Sequence, residues 1–269
     1  MKKIASILLV LVLSLCLLTA CSGSSDADKT ITVGASVTPH AEILRAVEAE
    51  LAEQGYTLTV VEYNDYVLPN TATESGELDA NYFQHQLYLT DFNANNDTHL
   101  VSVASIHYEP FGVYAGKVSS LDALTEGSTI AIPNDGTNEA RALYLLEAEG
   151  LITLKEGVGF TATVLDIAEN PLNLNIEELE AAQLVRALED VDVAVINGNY
   201  AIQGGLKVAD ALAVEDASSD SAQTYANILV VKEGNEELEK IQVLAAALQS
   251  EAVRTFMEES YAGAVVPIF

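Results

Sequence analysis

Tryptophan, cysteine and positive charge are scarce in this chain. There is no tryptophan, and the two cysteines, Cys16 and Cys21, both lie near the start. Everything beyond Cys21 therefore lacks a disulfide, a cysteine nucleophile and a cysteine metal site. Lysine and arginine together number 12 against 40 acidic residues, a formal net charge of −28. Nucleic-acid binding needs clustered cations to displace counterions, so that class is excluded, and an anionic membrane surface would repel the chain. Three motifs are also missing: a Gly-x-Ser-x-Gly elbow, a His-Glu-x-x-His metal helix and a glycine-rich phosphate loop. No internal repeat recurs at solenoid spacing.

The chain is rich in apolar residues, at 49 %. That excludes a disordered acidic chain and supplies one large or two smaller cores. The acidity itself favours solubility and a monomeric habit. Lys2 and Lys3 open an N-terminal segment whose apolar run from Ile4 to Leu18 leads into Leu18-Thr19-Ala20-Cys21. Small residues directly before a cysteine mark a lipoprotein signal. We expect a signal peptide over 1–20, lipid on Cys21 and a flexible linker over 21–29. A retained membrane helix is the alternative, but the apolar stretch is at the short limit for a bilayer and its flank is Ser22-Gly23-Ser24-Ser25-Asp26 rather than basic. Loss of Lys2 and Lys3 would take the net charge from −28 to −30. A protein tethered outside the cytoplasm has no ATP, NAD or genome to work on.

Beyond the linker, β-like runs alternate with helical ones. Strands are expected at Thr30–Gly34, Thr57–Tyr63, Ser128–Pro133, Val191–Ile196 and Tyr225–Lys232, with Leu100–Ile106 and Phe111–Ala115 as a β pair around Glu109-Pro110. Pro39 begins a helix that puts Ile43, Leu44, Val47 and Leu51 on one face. Further helices are expected at about Asn138–Glu149, Ile176–Glu189, Glu236–Leu248 and Glu251–Tyr261. This alternation reads as α/β with parallel strands, a class that binds ligands where strands end and helices begin.

Three constellations occupy such places. Pro133 to Arg141 joins a strand to a helix, where free N–H groups favour an anion and the Arg141 fork matches a carboxylate; a surface arginine paired with Glu139 or Glu147 is the plainer alternative. Asn197 ends the strand Ala194-Val195-Ile196, where it could accept from an ammonium, donate to a carboxylate or simply cap a helix. Nine of the 17 Tyr and Phe residues fall between Tyr63 and Tyr114, with His85 among them. They would wall a pocket for an apolar or thioether side chain or pack a core. His85, His107 and Glu109 offer a second class of reading, an extracytoplasmic metal-dependent enzyme, although none sits in a known metal motif.

With these stretches in view, the chain resembles the methionine-binding lipoproteins of ABC importers, the NlpA/MetQ family, from about Ile31 to the C-terminus. The resemblance rests on Asn64-Asp65-Tyr66-Val67-Leu68-Pro69-Asn70, Asp79 to His85, Asn134 to Arg141, Glu169-Asn170-Pro171, Glu178 to Leu184 and Ala194 to Ala201. It implies a two-lobed periplasmic-binding-protein fold, each lobe a mixed, mostly parallel sheet flanked by helices with a hinge between. Lobe one would hold 30–109 plus 226–269 and lobe two 110–225, crossing near Pro110 and Ala226. By position, Arg141 would hold the ligand carboxylate and Asn197 and Asn227 its backbone groups. Tyr66, Phe83, His85 and Tyr88 would line the side-chain pocket, with Asn138 a further contact. The chain departs from the family at Leu87 and Val185, where proline is common, and the first could re-aim Tyr88. The implied role is capture of L-methionine for an ABC permease and ATPase, with a methionine-containing dipeptide or another amino acid as alternative. No cofactor, no resident metal and no catalysis are expected.

Overall fold

The structure, a computed structural model, describes residues 29–215 and 224–269. The expected signal peptide, Cys21 and most of the linker lie outside the described residues. Among those described, no helix is long and apolar enough to cross a membrane.

Thr30–Ser36 (β1) opens the chain with Ile31, Val33 and Ala35 fully buried. His40–Ala46 (α1) and Glu48–Glu53 (α2) follow. They carry the expected apolar face, Ile43, Leu44, Val47 and Leu51, into the core, with one interruption at Val47. Next come Thr57–Tyr63 (β2), Leu68–Ser75 (α3), Ala80–His85 (β3), Gln86–Asn96 (α4) and Leu100–Tyr108 (β4). The chain then leaves this sheet. Gly112–Ala115 (β5), Thr129–Pro133 (β6), Gly136–Ala148 (α5), Thr153–Leu154 (β7), Ile167–Glu169 (β8) and Asn175–Leu179 (β9) belong to the second half. So do Leu184–Ala187 (α6), Val193–Ile196 (β10), Gly198–Gln203 (α7) and Ala213–Val214 (β11). Asn227–Lys232 (β12) returns to the first sheet, followed by Glu239–Leu248 (α8), Glu251–Tyr261 (α9) and Val266–Pro267 (β13).

The first sheet has the order β13-β4-β12-β3-β1-β2 and the second β11-β5-β10-β6-β9. Both are mixed. β1 runs parallel to β2 and β3, and β6 parallel to β9 and β10, while β12, β5, β11 and β13 enter antiparallel. Each sheet has its own core: Ile31, Leu44, Leu51 and Met257 lie in one, Ile130, Ile132, Leu143 and Val193 in another.

Two expectations give way. Leu100–Ile106 and Phe111–Ala115 are strands, but they do not pair with each other; β4 pairs with β12 and β13, and β5 with β10 and β11. Glu109-Pro110 is the crossing between sheets rather than a hairpin turn, because proline cannot continue a ladder. The helix expected over Ile176–Glu189 is a strand, Asn175–Leu179, and then a short helix, Leu184–Ala187. Glutamates favour a helix here, but five-residue parallel pairing to β6 overrides a propensity worth only tenths of a kcal/mol, about 0.5 per residue. The helix from Gly136 ends as read, with Gly150 at φ +71°, a conformation that glycine adopts without strain.

Candidate functional site

The cavity lies where parallel strands end. His85 closes β3, Pro133 closes β6 and Ile196 closes β10, and each hands the chain to a helix. Antiparallel β12 begins at the same level, with Asn227 opposite His85 on one side and His107 on the other. Register shifts interrupt both ladders just inside this strand end, between Ile228 and Leu229 against β3 and between Asn227 and Ile228 against β4.

A pocket of about 350 Å³, part of it open to solvent, lies there, and all eight sequence-derived binding candidates line it: Tyr66, Phe83, His85, Tyr88, Asn138, Arg141, Asn197 and Asn227. Gln84, Glu109, Gly198 and Asn199 also line it and were not singled out as ligand contacts. The halves meet across the space. Tyr66 Oη donates to Asn199 Oδ1 at 2.5 Å, Tyr200 Oη to the Asn64 carbonyl at 3.2 Å, and Gln203 Nε2 to Asn64 Oδ1 at 3.2 Å.

The apolar wall is an aromatic cluster. Tyr66 lies 5.7 Å from Phe83, 5.8 Å from Tyr88 and 5.1 Å from Tyr200, centroid to centroid. Tyr88, with Leu87 before it, lines the cavity: its N–H is capped by His85 Nδ1 and its hydroxyl donates to the Tyr66 carbonyl. Burial pushes Tyr66 and Tyr88 far up from the ordinary phenol range, so both hydroxyls stay protonated donors.

The polar wall has a fixed polarity that can be read from one end. Asp135 is an acceptor only, and it receives both the N–H of Asn138 at 3.0 Å and its Nδ2 at 2.9 Å. The anion at this helix start is therefore the protein's own carboxylate, and burial pushes Asp135 upward while these bonds hold it down. Asn138 must then present Oδ1 to its other neighbours. Asn197 Nδ2 donates to it at 3.0 Å and His85 Nε2 lies 3.3 Å away. The Asn197 amide is thereby oriented with Oδ1 turned away, buried and without a partner among the described residues. Asn199 is fixed in the opposite sense, since its Oδ1 accepts from Tyr66 and its Nδ2 is left buried and unpartnered.

Arg141 is buried over the faces of Tyr225 and Phe111, at 4.1 and 4.8 Å. Sequence reasoning missed its main partner. Glu215 takes Nε at 2.8 Å and Nη2 at 2.6 Å, and Nη2 also reaches the Glu109 carbonyl at 3.1 Å. Glu215 is held in turn by the Tyr108 hydroxyl at 2.7 Å. Among the described residues Nη1 makes no hydrogen bond. Nothing marked Glu215 in advance, since it is one of 40 acidic residues and sits after a two-residue strand.

Glu109 is the second buried carboxylate. Burial pushes it above the usual range, opposed by His40, by the N–H of Asn199 and by Arg141. His107 Nε2 is 2.8 Å from its Oε1 and His40 Nε2 is 3.5 Å from it. A Cβ on Gly198 would come within 2.6 Å of Glu109 Cβ, so this close approach needs a glycine. His40, His107 and Glu109 form the one three-residue cluster of metal-ligand type among the described residues, with ligand atoms within 4.8 Å of one another. The sequence-based trio of His85, His107 and Glu109 does not form: His85 instead caps α4 and faces Asn138. In the observed cluster the ring nitrogens facing Glu109 are already engaged in hydrogen bonds, which describes a polar network rather than an open metal site.

The description NlpA lipoprotein belongs to the family model that matches residues 31–269. Among curated relatives, the methionine-binding lipoprotein MetQ of Bacillus subtilis (strain 168) is 41 % identical over 252 residues, covering 92 % of this chain and 91 % of that one. A solved nutrient binding protein from Burkholderia cenocepacia bound to methionine superposes with a TM-score of 0.84 at 43 % identity, covering 89 % of this chain and 100 % of the other. An ABC transporter periplasmic substrate-binding protein from Coxiella burnetii superposes at 0.83 and 38 % identity, covering 88 % and 100 %.

Proposed function

We propose, because the chain belongs to the NlpA lipoprotein family, that it captures L-methionine outside the membrane and delivers it to an ABC importer. One observation carries the choice of a free amino acid. A buried acceptor with no partner among the described residues, Asn197 Oδ1, shares a small cavity with the Arg141 cation and an aromatic wall. An acceptor, a cation and an apolar surface together match the ammonium, the carboxylate and the side chain of one apolar α-amino acid. A thioether packs well against the edges of Tyr66, Phe83 and Tyr88. The relatives' ligand points the same way.

In this reading Asn197 Oδ1 receives the ammonium, and Arg141 and Asn227 hold the carboxylate. His85 and Asn138 keep the amides oriented. Residues 30–109 with 226–269 form lobe one and 110–225 lobe two, hinged at Pro110 and Ala226, and closing expels water so that the charged bonds strengthen. Cys21 carries lipid after removal of 1–20 and keeps a soluble, monomeric, acidic binder at the outer face of the cell membrane, beside its permease and ATPase. The family is one of substrate-binding lipoproteins and not of enzymes; that replaces the metal-dependent reading of His85, His107 and Glu109.

Titration calorimetry of the protein with each common amino acid and with a methionine dipeptide tests the ligand. L-Methionine is expected to bind at one site and far more tightly than the rest. Heat with a dipeptide or another amino acid and none with methionine would overturn the specificity.

A further inference from the structure

We propose that His40, which does not line the cavity, is a positioning residue that fixes which end of the Asn227 amide faces the ligand and so makes the site select a free carboxylate over a carboxamide. The inference deepens the amino-acid reading and rests on it. It begins with a single ring nitrogen. His40 Nε2 lies 2.9 Å from Asn227 Oδ1 and 3.5 Å from Glu109 Oε1. An unprotonated nitrogen there would set its lone pair against a carboxylate, so Nε2 carries the proton. On a neutral ring Nδ1 is then bare, and Nδ1 is the atom that lies buried with no partner among the described residues. Burial keeps the ring neutral by pushing it down to about 4.

The ring is also held in place. It meets Tyr82 edge-on at 4.7 Å and His107 at 5.0 Å. Those two have a fixed direction of their own: the protonated Tyr82 hydroxyl donates to His107 Nδ1, and His107 Nε2–H donates to Glu109 at 2.8 Å. His40 is thus held as a donor through Nε2, and the side-chain amide oxygen it meets among the described residues is Oδ1 of Asn227. That leaves Nδ2 as the free end of Asn227, a residue in the cavity wall, and Nδ2 makes no hydrogen bond among the described residues. A fixed N–H donor suits a carboxylate oxygen. It opposes the NH2 of a carboxamide, which would place donor against donor and leave both unpaired. Without His40 the Asn227 amide can turn over and accept from that NH2.

The test compares L-methionine with L-methioninamide by calorimetry on the wild type, His40→Phe and His40→Gln. In His40→Phe the preference for the acid should shrink by roughly tenfold or more, beyond any general weakening, while His40→Gln, which keeps an N–H donor, should hold it within about threefold of the wild type. A merely structural role would weaken both ligands equally. A folded His40→Phe with an unchanged ratio overturns the proposal. Nitrogen-15 NMR of the histidine rings in the wild type needs no variant to fold: the proposal expects a neutral His40 with its proton on Nε2, and an Nδ1–H tautomer overturns it. If the wild type ignores L-methionine, it is the methionine reading that fails, and the NMR result still decides the role of His40.

Discussion

Arg141→Ala is expected to weaken methionine binding by roughly 2–5 kcal/mol, the range for removing one partner of a buried, hydrogen-bonded charge pair. The side chain is 6 % exposed and stacked on Tyr225, so its charge acts in a poorly solvated space. Glu215 occupies the Nε and Nη2 edge of the guanidinium, at 2.8 and 2.6 Å, and leaves Nη1 for a ligand carboxylate. The variant would lose that donor and also strand the Glu215 carboxylate beside the cavity. Arg141→Lys should restore only part of the affinity, because a point charge cannot serve Glu215 through two bonds and the ligand through a third. Calorimetry on variants shown to be folded by circular dichroism measures both. A loss of less than tenfold in Arg141→Ala would mean that Arg141 does not clamp the ligand.

The second large effect is of pH on stability. His40, His85 and His107 are buried, and burial pushes them down to about 4, 3 and 3. A depressed histidine binds its proton in the unfolded chain before the folded one. Stability is therefore complete above the unfolded value of 6.5 and lost as pH falls below it, toward the folded values. Between pH 6.5 and 5 each ring should cost roughly 1–2 kcal/mol, so the three together should cost a few kcal/mol. Glu109 and Asp135 work in the opposite sense, because burial raises them and the folded state then holds the extra proton. Their contribution offsets part of the loss from the histidines. Urea unfolding followed by circular dichroism at pH 7 and pH 5 should show a clearly lower midpoint at pH 5. Equal midpoints, or a higher one in acid, would mean that these rings are not buried neutral.

The strand ends and the aromatic density between Tyr63 and Tyr114 pointed to the cavity wall because they are local features. Asn197 stands at the end of a visibly apolar strand and Arg141 a turn into a visibly capped helix. The amide polarity was not legible. Whether Asn197 offers oxygen or nitrogen depends on Asp135, which sets Asn138 first, and no spacing in the chain encodes that relay. Glu215 and His40 were missed for a related reason: each meets its partner across a long stretch of chain, Arg141 at 74 positions and Asn227 at 187. The β9 strand was misread because glutamate-rich segments favour helix until a neighbouring strand claims their backbone, and the β4–β5 pairing because two adjacent strands suggest a hairpin. Here Glu109-Pro110 sends them into different sheets. Cys21 is plain in the sequence and lies outside the described residues.

A crystal structure of the protein grown with L-methionine tests the central claim most directly. The account predicts one methionine in the cavity, its carboxylate on Arg141 and Asn227 Nδ2, its ammonium on Asn197 Oδ1 and its thioether among Tyr66, Phe83 and Tyr88. A methionine bound elsewhere, or bound here with ammonium and carboxylate exchanged, would contradict it.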